Sequence, residues 1–200
     1  MRNTNLQAMI ESAILAAFAL IIDILPLSIK LPTGGSVSFA MIPIFIIAYR
    51  WGFKTAFLGG LIWGLLQIVV GDAVIVTPIQ TLIEYFVAFA FIGFAGLFYQ
   101  PIQQAMANNQ GKKTMAYIIG ATFIGSLARY FWHFIAGIVF WGQYAPKGQS
   151  VFLYSLIVNG STLLASFALC TVLLLLLYTT APRLFKSADV YNRNTKKKSA

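Results

Sequence analysis

One apolar stretch of the chain, residues 129–144, holds the side chains best suited to bind a solute. It contains the only histidine of the chain, an arginine and two of the four tryptophans. His133, Gly137 and Trp141 are spaced four residues apart, so on a helix they share one face. An imidazole and an indole on one apolar face, with Arg129 one turn away, indicate the wall of a pocket rather than a lipid-facing surface.

A second polar group stands alone in another apolar stretch. Glu84 has no charged neighbour between Asp72 and Lys112. Ionisable groups inside membrane segments normally face a bundle interior or an aqueous cavity, because their exposure to lipid is costly. A carboxylate among indoles, phenols and amide or imidazole donors suits a flat aromatic ligand with positive charge, since cations are attracted to ring faces. The alternative role for Glu84 is an ion pair with Arg129, and the two roles can coexist.

The composition indicates what must position these side chains. Hydrophobic residues make up 59% of the chain and charged residues only 10%, against about 25% charged residues in a soluble domain. No charged residue occurs from Gly148 to Pro182, a run long enough to cross a hydrocarbon core of about 30 Å. We therefore expect an all-α integral membrane protein.

The apolar runs and the turn residues between them predict a bundle of six transmembrane helices. Their expected ranges are 7–29, 37–49, 53–71, 75–98, 114–141 and 151–180. The stretch from Pro101 to Lys113 is expected to be a polar loop. Residues 1–182 are expected to form a single membrane domain, and residues 183–200 a basic cytoplasmic tail.

The basic residues predict how the bundle is oriented. With both termini in the cytoplasm, most of them lie inside: Arg2, Arg50, Lys54, Lys112, Lys113, Arg183, Lys186, Arg193, Lys196, Lys197 and Lys198. Only Lys30 and Lys147 then lie outside, and Arg129 is within the membrane. Cytoplasmic segments of membrane proteins carry such an excess. The net charge of +9 therefore needs no nucleic-acid partner.

This orientation places polar residues of four helices at one depth. Glu84 and His133 fall in the outer half of the membrane, roughly 14 and 12 Å below the outer ends of their helices at 1.5 Å per residue. Trp63, Tyr154 and Asn159 fall in the same layer. Each has an ordinary structural role open to it, but their coincidence at one depth favours a solute pocket open to the outside.

The chain lacks the motifs of several other functions. It has no Walker nucleotide-binding motif, no His-Glu-x-x-His pair and no Gly-x-Ser-x-Gly turn. The single Cys170 excludes an internal disulfide and a multi-cysteine metal site. We expect no enzymatic activity, no cofactor and no metal. A self-sufficient secondary transporter stays open, although the sequence shows no inverted repeat or broken mid-helix.

The motifs also carry a family resemblance. They are Leu82-Ile-Glu-Tyr85, Gly59-Gly-Leu-Ile-Trp-Gly64, the run from Tyr130 to Tyr144, and Tyr154-Ser-Leu-Ile-Val-Asn-Gly160. Together they resemble the thiamine-specific substrate-binding (S) subunits of energy-coupling factor (ECF) transporters. The resemblance implies a six-helix protein of the bacterial plasma membrane that captures thiamine with high affinity at the outer face. A transmembrane coupling subunit and two ATPase subunits would then deliver the vitamin inside.

The same resemblance implies roles for individual residues. Glu84 would face the cationic ligand, and Trp141 would stack on one of its rings. The remaining lining residues would be Tyr85, His133, Gly137, Tyr154 and Asn159, to which their depth adds Trp63 and Arg129. In the first helix, Ala13 and Ala17 resemble the family's motif for contact with the coupling subunit, since small residues four apart permit close helix approach.

Three positions depart from the family pattern. The loop from Lys30 to Ser38 lacks the tryptophan that often closes over the ligand, Val74 stands where an aromatic residue is expected, and Arg129 replaces a common lysine. These departures concern the lid and the affinity. An S subunit for another vitamin or for a thiamine precursor is the alternative within the family.

Overall fold

The computed structural model of the protein describes residues 4–25, 29–31 and 36–187, and this part of the chain is mostly helical. The main helices are α1 (Thr4–Ile24), α2 (Ile42–Trp51), α3 (Phe53–Val69), α4 (Pro78–Ala107), α5 (Gly111–Phe140) and α6 (Val151–Thr180). Two-residue strands, β1 (Ile29–Lys30) and β2 (Ser36–Val37), pair antiparallel between α1 and α2. The predicted all-α fold with six helices is confirmed.

Four of these helices are long and apolar enough to cross a membrane on their own: α1, α4, α5 and α6. They expose large apolar side chains, such as Phe18, Leu127 and Leu164, on the outside of the bundle. A surface of this kind is unfavourable in water and suits the hydrocarbon core of a bilayer. The protein is therefore an integral membrane protein.

Helix α2 forms the centre of the bundle. Every residue from Ile42 to Tyr49 is buried. The helix starts at residue 42 rather than at the predicted 37, because β2 pairs with β1 just before it. It ends at Gly52, whose φ of +82° favours glycine, and α3 follows at once. Gly52 thus makes the short connection that the predicted ranges 37–49 and 53–71 leave between these two helices.

Helix α4 is longer than the sequence predicted. Residues Tyr99–Ala107 continue it as α-helix, so a loop beginning at Pro101 was the wrong prediction. Pro101 lies in the first turn of this segment, directly after the 3₁₀ segment Ile92–Phe98, where its missing N–H group is tolerated. Ile102 and Met106 bury apolar side chains in the core, which keeps the segment helical.

The packed part of the chain continues past the predicted end of the domain. After the 3₁₀ turn Pro182–Leu184, the Phe185 ring is fully buried and stacks on Tyr49 with 5.9 Å between ring centres. The Gln103 amide donates to the carbonyl of Phe185 at 2.7 Å and accepts from the Ser187 N–H at 2.9 Å. The predicted basic tail thus begins with residues that belong to the bundle, and residues 188–200 lie outside the described part of the chain.

Candidate ligand-binding site

A cavity of about 350 Å³ lies where α4 and α6 begin and α5 ends. Its volume is within the range of small-molecule sites, roughly 300–1,000 Å³. Six of the residues predicted from the sequence line it: Glu84, His133, Gly137, Trp141, Tyr154 and Asn159. Tyr144, Ser155 and Val158 complete its wall. We call it the first cavity.

The start of α4 is shaped so that Glu84 faces this cavity. Thr77 caps the helix by accepting a hydrogen bond from the N–H of Gln80 at 3.1 Å. The following turn, Leu82–Val87, is a π-helix, a form that is rare and frequent at functional sites. The carbonyl of Tyr85 in this turn lies so close to Gly64 of α3 that any side chain at position 64 would collide with it. Glu84 is six residues from the first residue of α4, about 9 Å along the axis, which is nearer to that end of the helix than the predicted 14 Å.

The carboxylate of Glu84 is held by two donors. Trp141 Nε1 donates to Glu84 Oε1 at 2.8 Å, and the Gln80 side-chain amide donates to Oε2. His133 Nδ1 lies 4.0 Å from Oε1. The residue is only 8% exposed, so its negative charge is poorly screened by solvent. Groups from α4, α5 and the turn after α5 therefore meet around one buried anion.

Arg129 contacts aromatic rings rather than a carboxylate. Its guanidinium carbon lies 4.3 Å from the centre of the Phe89 ring and 4.9 Å from that of Trp63. Within the described ranges, no carboxylate oxygen approaches it to 4.0 Å, so the alternative ion pair with Glu84 is not formed. Arg129 Nε also donates to His133 Nε2 at 3.4 Å, which leaves the imidazole proton on Nδ1, facing Glu84.

Helix α6 supplies Asn159, another polar side chain that lines the first cavity. Its N-terminus is capped by Ser150, which accepts from the N–H of Leu153 at 3.2 Å. Asn159 Nδ2 donates to the Ser155 carbonyl at 3.1 Å and to Ser155 Oγ at 3.2 Å. A Cβ atom at Gly137 of α5 would collide with Ser155 Oγ and lie 3.0 Å from Asn159 Nδ2. Gly137 therefore lets α5 and α6 approach closely at the cavity.

A second cavity of about 430 Å³ shares Glu84 and His133 with the first. Two further predicted site residues, Tyr85 and Arg129, line this one. Its other lining residues are Asp23, Ser38, Gln67, Asp72, Val74, Phe89 and Tyr130. The hydroxyl of Tyr85 accepts a hydrogen bond from the N–H of Val74 at 2.7 Å, and this bond ties the turn between α3 and α4 to the cavity wall.

Trp63 lines neither of these two cavities. Its side chain is fully buried, with its ring 4.4 Å from that of Phe89 and beneath the guanidinium of Arg129. It therefore contacts the site through those two residues. The loop in which the sequence lacks a lid tryptophan includes residues 32–35, which lie outside the described part of the chain.

Sequence reasoning missed two polar residues that hold predicted site residues in place. Gln80, which is fully buried, holds Glu84, and Ser155 holds Asn159. Each lies four residues before its partner, a spacing that places two side chains side by side on a helix. A polar residue four positions before a predicted site residue was therefore the signal by which the sequence could have indicated both.

Ala13 and Ala17 lie away from the cavities, on the outer side of α1. Ala13 is exposed and Ala17 is half-buried, whereas Ser12 and Ala16, the residues directly before them, face the core. The Ser12 hydroxyl donates to the carbonyl of Thr55 at 3.2 Å, which fixes the inner face against α3. Large apolar side chains flank Ala13 and Ala17 on the outer face, among them Ile10, Ile14 and Phe18.

Comparison with known proteins gives consistent matches over almost the whole chain. The family model described as thiamine transporter protein (Thia_YuaJ) matches residues 9–186. The thiamine transporter ThiT of Bacillus subtilis is 44% identical over 93% of this chain and 97% of its own length. ThiT of Lacticaseibacillus paracasei is 38% identical over 98% of both chains.

A solved structure agrees with these relatives. The structure of ThiT from Listeria monocytogenes is 41% identical and superimposes with a TM-score of 0.87, covering 92% of this chain and all of the other. Sequence and fold therefore give the same assignment: the chain belongs to the thiamine transporter protein family, Thia_YuaJ.

Proposed function

We propose that the protein is the substrate-binding subunit of an ECF transporter and captures thiamine at the outer face of the membrane. It would act in transport and carry out no chemical reaction. The observation that carries the proposal is the buried Glu84 carboxylate, held against the Trp141 indole at the wall of the first cavity. Membership of the thiamine transporter family supports the choice of ligand.

Thiamine joins a positively charged thiazolium ring to an aminopyrimidine ring, and the site offers complementary groups for both. Glu84 supplies negative charge for the thiazolium ring. Trp141 and Tyr154 supply aromatic faces, which attract cations and stack on flat rings. Asn159 and His133 can donate and accept hydrogen bonds, as an aminopyrimidine requires. A neutral, purely apolar ligand would leave the Glu84 charge uncompensated.

Ligand binding to the purified protein tests the proposal directly. Thiamine should quench tryptophan emission in a saturable way, with an affinity tighter than micromolar by calorimetry. Trp141 is the tryptophan that lines the first cavity, so Trp141→Phe should lose most of the quenching. Riboflavin, and the separate pyrimidine and thiazole precursors, should compete weakly. If thiamine gives no saturable change, or if riboflavin displaces it at equal concentration, the assignment is wrong.

The energy for uptake would come from partner subunits. The sequence contains no Walker motif, and the proposed partners are a transmembrane coupling subunit and two ATPases. The outer face of α1 around Ala13 is the proposed contact surface. Vesicles that hold this chain alone should bind thiamine without accumulating it, and accumulation should require the partners and ATP. Accumulation by the chain alone would instead identify a secondary transporter.

We further propose that both termini are cytoplasmic, so that the cavities open to the outside. Helix α5 supports this orientation: it begins with Lys112 and Lys113, and ends after about 45 Å beside the first cavity. The native Cys170 is fully buried and can be replaced by alanine. In intact cells, a cysteine at position 147 should react with a membrane-impermeant maleimide, and one at position 109 should not. The reverse pattern would invert the orientation.

A further inference from the structure

Arg129 places a positive charge beside a site proposed to hold a cation. Its guanidinium is packed on Phe89 and Trp63, and its Nε contacts the imidazole that faces Glu84. Charges in poorly hydrated surroundings interact strongly over several ångströms. Left unbalanced, Arg129 would cancel much of the attraction that Glu84 exerts on a cationic ligand.

Asp23 is positioned to balance this charge. It lies in the last turn of α1 and lines the second cavity together with Arg129 and Glu84. Its carboxylate accepts a hydrogen bond from Ser38 Oγ at 3.3 Å and another from the side chain of Gln67, which is 2% exposed. Two donors from different segments therefore fix the carboxylate at the cavity wall. A charged group held in this way at membrane depth is costly and normally has a function.

We propose that Asp23 is a specificity-determining residue: it offsets Arg129, so that the charge of Glu84 remains available to a ligand with one positive charge. Among the described residues, Asp23, Glu84 and Arg129 together carry one net negative charge, which balances the single positive charge of thiamine; this inference rests on the function proposed above. Asp72 also lines the second cavity but is exposed, so water and salt screen it. In the described part of the chain, the other titratable groups that line this cavity are the neutral side chains Tyr85, Tyr130 and His133.

The experiment compares thiamine with a neutral isostere in which carbon replaces the quaternary nitrogen. Asp23→Asn keeps the shape of the side chain and an acceptor for Ser38, but removes the charge. We expect it to weaken thiamine binding about tenfold and isostere binding by less than about twofold. Arg129→Gln should raise the preference for thiamine over the isostere, and the double variant should return that preference near the parent value. Because this preference is a ratio of two affinities, a general loss of stability does not change it.

Asp72→Asn is the matched control, since it removes a carboxylate from the exposed rim of the same cavity. It should lower the preference for thiamine much less than Asp23→Asn does. Equal losses for thiamine and the isostere in Asp23→Asn, or equal effects of the two aspartate changes, would overturn the role of Asp23. Failure of the proposed function is distinguishable, because the parent protein would then bind neither compound, and that result would overturn both.

Discussion

At the residue scale, Glu84 has to keep its negative charge while it is buried and also has to leave that charge accessible to a ligand. A carboxylate has about four lone-pair positions. Two of them accept hydrogen bonds from Trp141 and Gln80, which stabilise the buried charge without neutralising it. His133 is held by Arg129 with its Nδ1 proton toward the same carboxylate. The site can therefore keep a full negative charge beside an aromatic face and still offer it to a ligand.

One substitution removes the charge of Glu84 and keeps the size of its side chain. Glu84→Gln keeps the size of the side chain and should weaken thiamine binding by about tenfold to a hundredfold, the range for losing a charge-assisted contact. Binding of the neutral isostere should fall much less, because its affinity does not depend on that charge. Calorimetric titration of both compounds measures the difference. Equal losses would mean that the carboxylate acts in the folded structure and not on the ligand.

A second residue-scale prediction concerns the closeness of α5 and α6. In Gly137→Ala the new methyl group would meet Ser155 Oγ and crowd Asn159, so we expect thiamine affinity to fall at least about tenfold as the pocket wall shifts. Gly160→Ala is the matched control, since its added Cβ meets nothing within 4 Å. It should keep full affinity and gain up to about 1 kcal/mol of stability from better helix propensity. Titration and thermal unfolding of the two variants in detergent give both values.

At the element scale, α1 and α4 each have two roles. The inner face of α1 packs on α3 through Ser12 and carries Asp23 to the second cavity, whereas its outer face is apolar and exposed. Helix α4 starts with the π turn that bears Glu84 and ends with the segment that buries Ile102. The proposed binding and the packing are thus carried by different turns of the same helix.

The two faces of α1 should respond differently to substitution. Replacing Ala13 and Ala17 together by tryptophan should abolish uptake in cells that hold the partner subunits, because bulky groups prevent close helix approach. Thiamine binding by the purified variant should remain within about twofold of the parent, since neither residue lines the cavities. Leu164→Trp on the exposed side of α6 controls for bulk alone and should retain uptake. If the variant with tryptophan at positions 13 and 17 still supports uptake, the docking surface lies elsewhere.

At the scale of the whole molecule, residues 182–187, which directly follow α6, pack against the end of the bundle opposite the cavities. Arg50 joins several parts of this end: it pairs with Glu11 of α1 at 2.6 Å and donates to the carbonyl of Lys186 at 2.6 Å. The buried Phe185 ring lies between Tyr49 and Tyr178. Helices α1, α2 and α6 are thereby tied together by a segment that follows the last membrane helix.

The packing of residues 182–187 against the bundle should contribute measurably to the stability of the protein. Phe185→Ala removes a fully buried ring and should cost about 3–5 kcal/mol of unfolding free energy, seen as a clear drop in melting temperature in detergent. The neighbouring Leu184 is 42% exposed, so Leu184→Ala should cost much less. Saturating thiamine should raise the melting temperature of the parent and of both variants, because it binds only the folded state. An unchanged melting temperature in Phe185→Ala would show that the segment adds no stability.

The sequence predicted those parts of the site that depend on one helix at a time. His133 and Gly137 share a face through helical periodicity alone, and both line the first cavity with Trp141. The same reasoning counted the helices and placed them in a membrane, because apolar length and charge are properties of a local stretch. It misplaced the end of α4, since burial of Ile102 outweighed the local signal of Pro101.

Only the tertiary structure decided which side chains meet across helices. Position along the chain does not tell whether Arg129 turns toward Glu84 or onto aromatic rings; the packing of Phe89 and Trp63 beside it decides that. Position along the chain also does not reveal that Asp23, at the end of α1, lines the same cavity as Arg129. Rotation and spacing of helices follow from the summed packing of many side chains, whereas the class, the spans and the residues on each face follow from hydrophobicity and periodicity in a single segment.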